Sequence, residues 1–259
     1  MNKVGMFSWF SYPMTIQKRF ELIKEAGFDA TSLWWAEADR NSQPDMARGI
    51  GLEIDNIHAP FHNMANNLWL DGVDGDDYLN LLISCVNDCN VHDIETVVIH
   101  ATGFSNVPAI SQVGIERIKK LVDFAEKKEV NLAFENLSTL DHLDYILTNI
   151  DSERVGFCYD SGHEHCGHPD ANCLKLYGDK LFAIHIDDNF GDADTHLLPY
   201  DGTANWEKIK QDIKNSRKIK YYTLEVDFNP NDVHSDIYKK LSALEFLQLA
   251  YNKMQKVIN

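Results

Sequence analysis

The residues best suited to chemistry are acids and histidines that come at the ends of short apolar runs. The stretch HIDDNFGDADTH, residues 185 to 196, holds four aspartates and two histidines in a chain whose formal net charge is already −16. Like charges crowded in this way cost free energy unless water screens them or a cation lies among them. The stretch is therefore either a solvated acidic loop or part of a site built around a cation.

Similar residues end other apolar runs along the chain. They are His58, His100, Glu135, Asp160, His163, His185 and Glu225. Unpaired carboxylates at the ends of buried strands would be costly, and carboxylate together with imidazole is the ligand set of Zn²⁺ or Mn²⁺. We therefore predict a divalent metal site formed by Glu135, Asp160, His185 and Glu225. Asp194 and His196 form an Asp-x-His pair able to fold back over it, and Asp187 and Asp188 are candidates for orienting imidazoles.

Eight strand-like runs, each followed by a segment with helical spacing, must position these residues. The runs are VGMFSW, ATSLWW, EIDNIHAP, TVVIHAT, NLAFENL, VGFCYDSG, LFAIHID and YYTLEVDF. Their continuous apolar character is typical of a parallel sheet buried on both faces, and eight strands close such a sheet into a barrel. We predict an α/β fold, a single (β/α)₈ TIM barrel over residues 1–259; a doubly wound open sheet is the alternative, without a Gly-rich fingerprint after the first strand. The last strand is followed by a pattern that predicts one long helix over residues 235–256.

Two long connections, residues 61–77 and 189–205, follow strands and are expected as loops at the C-terminal mouth of the barrel.

The run HEHCGH, residues 163 to 168, has donors too close together for a four-ligand zinc site. We interpret His165, Cys166 and His168 as loop residues. Trp34 and Trp35 belong either to the core or to an aromatic wall of the pocket.

Composition narrows the functional class. Forty acids against 24 bases, without a basic cluster, argue against nucleic acid as a partner. No apolar run approaches the length of a membrane span, and five cysteines without framework spacing are typical of a reducing compartment. We expect a cytoplasmic protein without a membrane partner, and exposed aromatic residues could support a homo-oligomer.

Seven motifs are spread over essentially the full length of the chain: IHAPF, VVIHATG, LAFENL, GFCYDSGH, IHIDD, DTHLLPYDG and TLEVD. By these motifs the chain resembles the xylose-isomerase-like TIM barrel superfamily, which contains sugar isomerases and epimerases, inosose-processing enzymes and the endonuclease IV family. In the ketose 3-epimerase branch, matches to Glu135, Asp160, His185 and Glu225 hold one metal ion, and His163 matches a substrate-contacting histidine. Strand 2 departs from related sugar enzymes, which often place a carboxylate where this chain has TSLWWAE; Glu37 is the candidate for that place.

The resemblance also implies a competing ligand set. In the endonuclease branch three zinc ions use nine ligands, and all nine types are present here: His58, His100, Glu135, Asp160, His163, His185, Asp194, His196 and Glu225. These make His58, His100, His163, Asp194 and His196 possible additional metal or substrate ligands. The strongly negative charge argues against a protein that must grip a phosphate backbone.

We therefore expect a divalent-metal-dependent sugar isomerase or epimerase that acts on a small polyhydroxylated carbonyl compound. One zinc or manganese ion would stabilise the enediolate, while Glu135 and Glu225 remove and return the proton. His163 and the tryptophans Trp9, Trp34 and Trp69 would contact the substrate. A polyol or inosose dehydratase, an abasic-site nuclease with up to three zinc ions, and a non-catalytic sugar-binding barrel remain the alternatives.

Overall fold

The strands of this chain close into one parallel barrel. The structure is a computed structural model that describes residues 2–36 and 38–259, so Glu37 lies outside the described residues. Within them the strands are β1 (Lys3–Phe7), β2 (Ala30–Trp34), β3 (Glu53–His58), β4 (Thr96–Ile99), β5 (Asn131–Glu135), β6 (Val155–Asp160), β7 (Leu181–Ile186) and β8 (Tyr221–Leu224). Each strand pairs in parallel with the next, and β8 pairs with β1. The predicted (β/α)₈ barrel is confirmed.

Helices surround the barrel and follow the strands in chain order. They are α1 (Ile16–Glu25), α2 (Gln43–Gly49), α3 (Val73–Val91), α4 (Gln112–Lys128), α5 (Asp141–Asn149), α6 (Ser161–Gly167), α7 (Cys173–Tyr177), α8 (Trp206–Asn215) and α9 (Ala243–Ile258). Polar side chains fix several helix starts: Thr15, Ser111 and Asn205 accept a hydrogen bond from a main-chain N–H of the first turn. No helix among the described residues has both the length and the apolar character needed to cross a membrane.

The barrel has two apolar layers. Val97, Ile99 and Leu132 belong to the large core that packs strands against helices, whereas Val98, Ala133, Cys158 and Ala183 form a separate small cluster. Neighbouring residues of a strand point to opposite faces, so this second cluster fills the inside of the barrel.

Three local predictions were wrong. The single helix expected over residues 235–256 is a 3₁₀ segment, Val233–Tyr238, followed by α9, because Ser242 and Glu245 cap a new helix there. The 61–77 connection contains a 3₁₀ segment, His62–Trp69, and the start of α3. His165 and Cys166 lie in the short helix α6, since the Asp160 side chain accepts from the His163 N–H and starts it.

Candidate metal and active site

The inside of the barrel carries its polar residues at the carboxyl ends of the strands. Side chains two residues apart in a strand share a face, so His100 follows Val98 inside the barrel. The same relation holds for Glu135 after Ala133, for Asp160 after Cys158 and for His185 after Ala183. Pairing aligns Glu135 with Cys158 and Asp160 with His185. The strand register thus gathers these side chains at one end of the barrel, as the sequence predicted for strand ends.

Glu135 lies at the centre of the inner cluster, which we define as Glu135 with His58, His100, His163 and His185. Its Oε2 atom is 3.0 Å from Nε2 of His100 and 3.4 Å from Nε2 of His58. Its Oε1 atom is 3.2 Å from Nδ1 of His185 and 3.4 Å from Nδ1 of His163. The Glu135 side chain is completely buried. Both carboxylate oxygens therefore face two imidazoles each.

Glu225 approaches the inner cluster from the end of β8. Its Oε2 atom lies 2.5 Å from Nδ1 of His185, the ring nitrogen that also faces Glu135. The Glu225 side chain is 13% exposed, whereas that of Glu135 is 0% exposed. Of the two carboxylates, Glu225 is the one with access to a ligand entering from the mouth.

A second group, the rim cluster of Asp187, Asp194 and His196, comes from the end of β7 and the loop after it. Asp194 Oδ2 is 3.1 Å from Nε2 of His196 and 3.2 Å from Nε2 of His163, so it joins the rim cluster to the inner one. The side chains of Asp194 and His196 are 24% and 29% exposed. The acidic stretch is thus folded over the mouth, with Asp194 and His196 turned toward the barrel.

The donor atoms form three adjoining groups in which each residue offers one ligand atom. The groups are His58, Glu135, His185 and Glu225; Glu135, Asp160 and His163; and Asp187, Asp194 and His196. The predicted ligand set of Glu135, Asp160, His185 and Glu225 is divided between the first two groups, which share Glu135. The additional candidates His58, His163, Asp194 and His196 lie in these groups, and His100 contacts Glu135.

Two buried oxygens provide a test of whether these residues suit a metal ion. Asp160 Oδ2 and Asp187 Oδ2 are fully buried and have no hydrogen-bond donor among the described residues. A buried carboxylate oxygen left unpaired is expensive, and a bound cation is a standard way to satisfy it. Mixed oxygen and imidazole donors at a strand-end ring fit a divalent transition metal.

The carboxylates and imidazoles of the site shift one another's pKa values. Burial raises the pKa of Asp160 to about 7. Burial alone would lower the pKa of His163, but the carboxylates of Asp160 and Asp194 outweigh it and hold that pKa well above its usual value. In the same way His185 overcomes burial and lowers the pKa of Glu225 to about 2. No Lys or Arg among the described residues forms an ion pair with Glu225 or with the carboxylates of the inner and rim clusters. The positive partners of these carboxylates are histidines.

An aromatic wall stands beside the inner cluster. Phe61 stacks on His100 at 4.0 Å between ring centroids, Trp34 lies 5.6 Å from His58, and Phe104 lies 5.4 Å from His163. Phe104 is 43% exposed. The sequence left Trp34 open between the core and such a wall, whereas Phe61 and Phe104 were missed. The signal was present, because each follows a strand-end histidine within four residues in HAPF and HATGF.

The other predicted aromatic contacts lie elsewhere. Trp69 is 2% exposed, donates its indole N–H to the carbonyl of Ala101 at 2.7 Å and packs on His142. Its ring therefore has almost no face open to a ligand. Trp9 is exposed and lies under the guanidinium of Arg19, at 4.2 Å.

Asp187 and Asp188 serve the loop after β7 in different ways. Asp188 accepts hydrogen bonds from the main-chain N–H groups of Tyr200 and Ala204 and from the indole of Trp206. Asp187 accepts from Gly162 N–H at 2.8 Å and keeps its second oxygen 3.6 Å from Nδ1 of His196. Asp188 holds the loop together, and Asp187 faces the rim cluster.

Comparisons with known proteins agree with this architecture. The structure resembles D-psicose 3-epimerase of Clostridium cellulolyticum H10, solved with D-tagatose, with a TM-score of 0.78, 14% identity and 99% of both chains covered. It resembles the IolI protein, solved with a zinc atom, with a TM-score of 0.77, 18% identity and coverage of 99% and 98%. At such identities the likeness establishes the fold.

Some sequence relatives match only part of the chain. The uncharacterised protein y4fM of Sinorhizobium fredii is 38% identical over 94 residues, which span 34% of this chain and 30% of the length of that relative. A family model described as xylose isomerase-like TIM barrel matches residues 20–243. The chain therefore belongs to the xylose isomerase-like TIM barrel family.

Proposed function

We propose that this protein is a divalent-metal-dependent isomerase or epimerase of a small, uncharged polyhydroxylated carbonyl compound. The observation that carries the proposal is the placement of Glu135 and Glu225 against the same ring nitrogen of His185, Nδ1, at the bottom of a mouth walled by aromatic rings. Two structural neighbours support the substrate class and the metal: one was solved with D-tagatose and the other with zinc.

Glu135, Asp160, His185 and Glu225 are the residues proposed to hold the metal ion. A divalent cation bound there would polarise the substrate carbonyl and stabilise negative charge that develops beside it. The unpaired Asp160 Oδ2 atom supports this assignment. The inner histidines His58 and His100 hold Glu135 from the other side and fix its orientation.

The two glutamates are proposed to share the proton transfer unequally. Glu225 has one close imidazole and is partly exposed, so it is the better placed to take a proton from the carbon next to the carbonyl. Glu135 has imidazoles at both oxygens, which favours a fixed anionic role and makes it the less mobile partner. His163 lies between Glu135 and Asp194, with one ring nitrogen toward each carboxylate, and would donate a hydrogen bond to a substrate oxygen that takes the place of Asp194 at Nε2.

The surroundings of the mouth favour a neutral substrate. The carboxylates of the inner and rim clusters have histidines as their positive partners, and no lysine or arginine of the described residues pairs with them. Phosphate groups are normally held by Arg, Lys or helix N-termini, and the negative field of a −16 chain repels them. Phe104 is 43% exposed and offers an apolar face on which the C–H face of a sugar can lie.

The test combines metal analysis with a proton-exchange assay. Protein purified without added metal is analysed for metal content, and a panel of free ketoses and inososes is incubated with it in D₂O and followed by NMR. We expect about one zinc or manganese ion per chain and deuterium incorporation next to the carbonyl, which falls by about 10²- to 10⁴-fold in Glu225→Gln. A metal-loaded protein that exchanges no carbon-bound proton in any member of the panel contradicts the proposal.

One observation favours a second candidate, an endonuclease IV-like phosphodiesterase. The three donor groups adjoin one another, and together with His100 they contain all nine residues of the trinuclear ligand set. About three zinc ions per chain, with cleavage of an abasic DNA duplex that weakens steeply with salt, would support this candidate. The lack of Lys or Arg partners for the mouth carboxylates among the described residues is the reason to rank it second.

A further inference from the structure

The main chain of Glu225 lies just beyond the regular part of β8. The strand ends at Leu224, which is also the last residue of β8 aligned with β1 and with β7. The Glu225 N–H donates to the carbonyl of Ile186 at 3.2 Å. The position of the carboxylate therefore depends on what holds the carbonyl side of this residue.

His196 supplies that second attachment from the loop after β7. Its Nδ1 atom lies 2.8 Å from the carbonyl oxygen of Glu225. A carbonyl oxygen only accepts, so the ring nitrogen donates and carries the proton. The carbonyl of His196 in turn accepts from the N–H of Asp227 at 3.0 Å. One residue of the loop thus holds the chain on both sides of residue 226.

The conformation of His196 is itself held by its surroundings. Its φ angle is +47°, in the left-handed region that a non-glycine residue adopts only when its neighbours impose it. The next residue, Leu197, exchanges two main-chain hydrogen bonds of 2.8 Å with Asp188. On its far side the ring faces Asp194, 3.1 Å from Nε2. The loop is built to present the Nδ1–H group toward β8.

We propose that His196 is a positioning residue for Glu225: its Nδ1–H group holds the Glu225 main chain where the carboxylate reaches His185. This inference rests on the proposed role of Glu225 as metal ligand and proton acceptor. It differs from a ligand role for His196, because a ligand would act through Nε2 and the positioning role acts through Nδ1. The two nitrogens can be separated by substitution.

His196→Asn and His196→Gln form a matched pair. The Asn amide places its NH₂ group near the position of Nδ1, and Asn tolerates a left-handed backbone. The Gln amide reaches instead toward the position of Nε2 and leaves the Glu225 carbonyl without its donor. His165→Asn is the control, because the His165 ring bonds to Thr203 of the same loop and is not part of the site.

The first readout is the dissociation constant for Mn²⁺, measured by calorimetry, which requires no substrate. We expect His196→Gln to bind Mn²⁺ about 10- to 100-fold more weakly than the wild-type protein, and His196→Asn to recover at least about tenfold of that loss. The turnover number should follow the same order once a substrate is known. Equal losses in both variants, or tighter binding by His196→Gln, would overturn the proposal in favour of a ligand role.

The second readout is the tautomer of His196, determined by ¹⁵N NMR of histidine-labelled protein, with the signal assigned by its loss in His196→Asn. A protonated Nδ1 atom supports the hydrogen bond to the Glu225 carbonyl. An unprotonated Nδ1 atom overturns the proposal, whether or not the protein is an isomerase or epimerase. Failure of the proposed function has a different signature, namely wild-type protein that binds Mn²⁺ but exchanges no proton of any ketose.

Discussion

Each end of the barrel holds a glutamate, and the two glutamates have different kinds of partner. At the N-terminal end Glu53 pairs with Lys3 and Lys220, the latter at 2.9 Å, and accepts from the hydroxyl of Tyr221 at 2.7 Å. At the mouth Glu135 faces four imidazoles. Both carboxylates have a pKa held below its usual value.

The difference lies in the partner. The N-terminal end also holds a cavity of about 540 Å³ whose lining includes Arg48, Arg217 and Lys220, so lysines and arginines with permanent charge are available there. Imidazoles can lose their charge near neutral pH and then offer a lone pair to a metal ion, which an ammonium group cannot. The N-terminal end is therefore an ion-pair network with permanent charges. The mouth is a set of groups that can exchange protons for a metal ion.

The largest effect is expected when the same substitution is made at each end. Glu135→Gln removes the anion shared by four histidines, so the metal content should fall below half an equivalent and turnover by at least about 10³-fold. Glu53→Gln should leave both unchanged. Elemental analysis and steady-state kinetics measure the contrast, and full metal content in Glu135→Gln would refute the central role given to that residue.

Metal binding at the mouth should depend steeply on pH. Interactions with Cys158, Glu225 and Glu135 hold the pKa of His185 well above its usual value against the opposing effect of burial, so protons compete with the metal up to a higher pH than at an isolated histidine. Lowering the pH from about 8 to about 6 should therefore weaken binding about tenfold per pH unit for each proton displaced. Calorimetry in two buffers of different ionisation enthalpy counts those protons; a pH-independent affinity would contradict the expectation.

A smaller effect is expected at the aromatic wall. Phe104→Ala removes an exposed ring that contacts His100 and His163, without touching the carboxylates. An aromatic contact of this kind is worth about 1 kcal/mol, so KM should rise about three- to tenfold while kcat changes little. Phe124→Ala, on the outer helix α4, is the control for loss of a phenyl ring. A fall in kcat with unchanged KM would assign Phe104 to the chemistry instead.

The smallest effect is expected for stability at the N-terminal end. The side-chain hydrogen bonds from Lys3 and Lys220 lower the pKa of Glu53 to about 2. Its stabilising effect is therefore present above the usual pKa near 4.5 and is lost as the pH falls toward 2. The side chain is 40% exposed, and solvent screening limits the loss in Glu53→Gln to less than about 1 kcal/mol at neutral pH. Urea unfolding at several pH values measures it; a loss that persists at the lowest pH would point to packing.

The sequence alone determined the barrel and the position of the candidate ligands along it. Eight apolar runs with helical segments between them admit few arrangements, and parallel strands bring their carboxyl ends to one face. Glu135, Asp160 and His185 could therefore be placed at the mouth before any contact was known. The break before α9 was missed although Ser242 and Glu245 form a capping box in the sequence, because the helical pattern on either side was continuous.

Only the tertiary structure decided which side chains meet. His100 and Glu135 are 35 residues apart, and Glu135 and His185 are 50 residues apart, so no local pattern fixes which ring faces which oxygen. The bond from His196 to the carbonyl of Glu225 involves main chain, whose hydrogen-bonding groups are the same for every sequence. The periodicity of apolar residues in the sequence predicts how far along the barrel axis a side chain lies and which face of the sheet it is on. Its partners are determined only by closure of the barrel and by the course of the loop after β7.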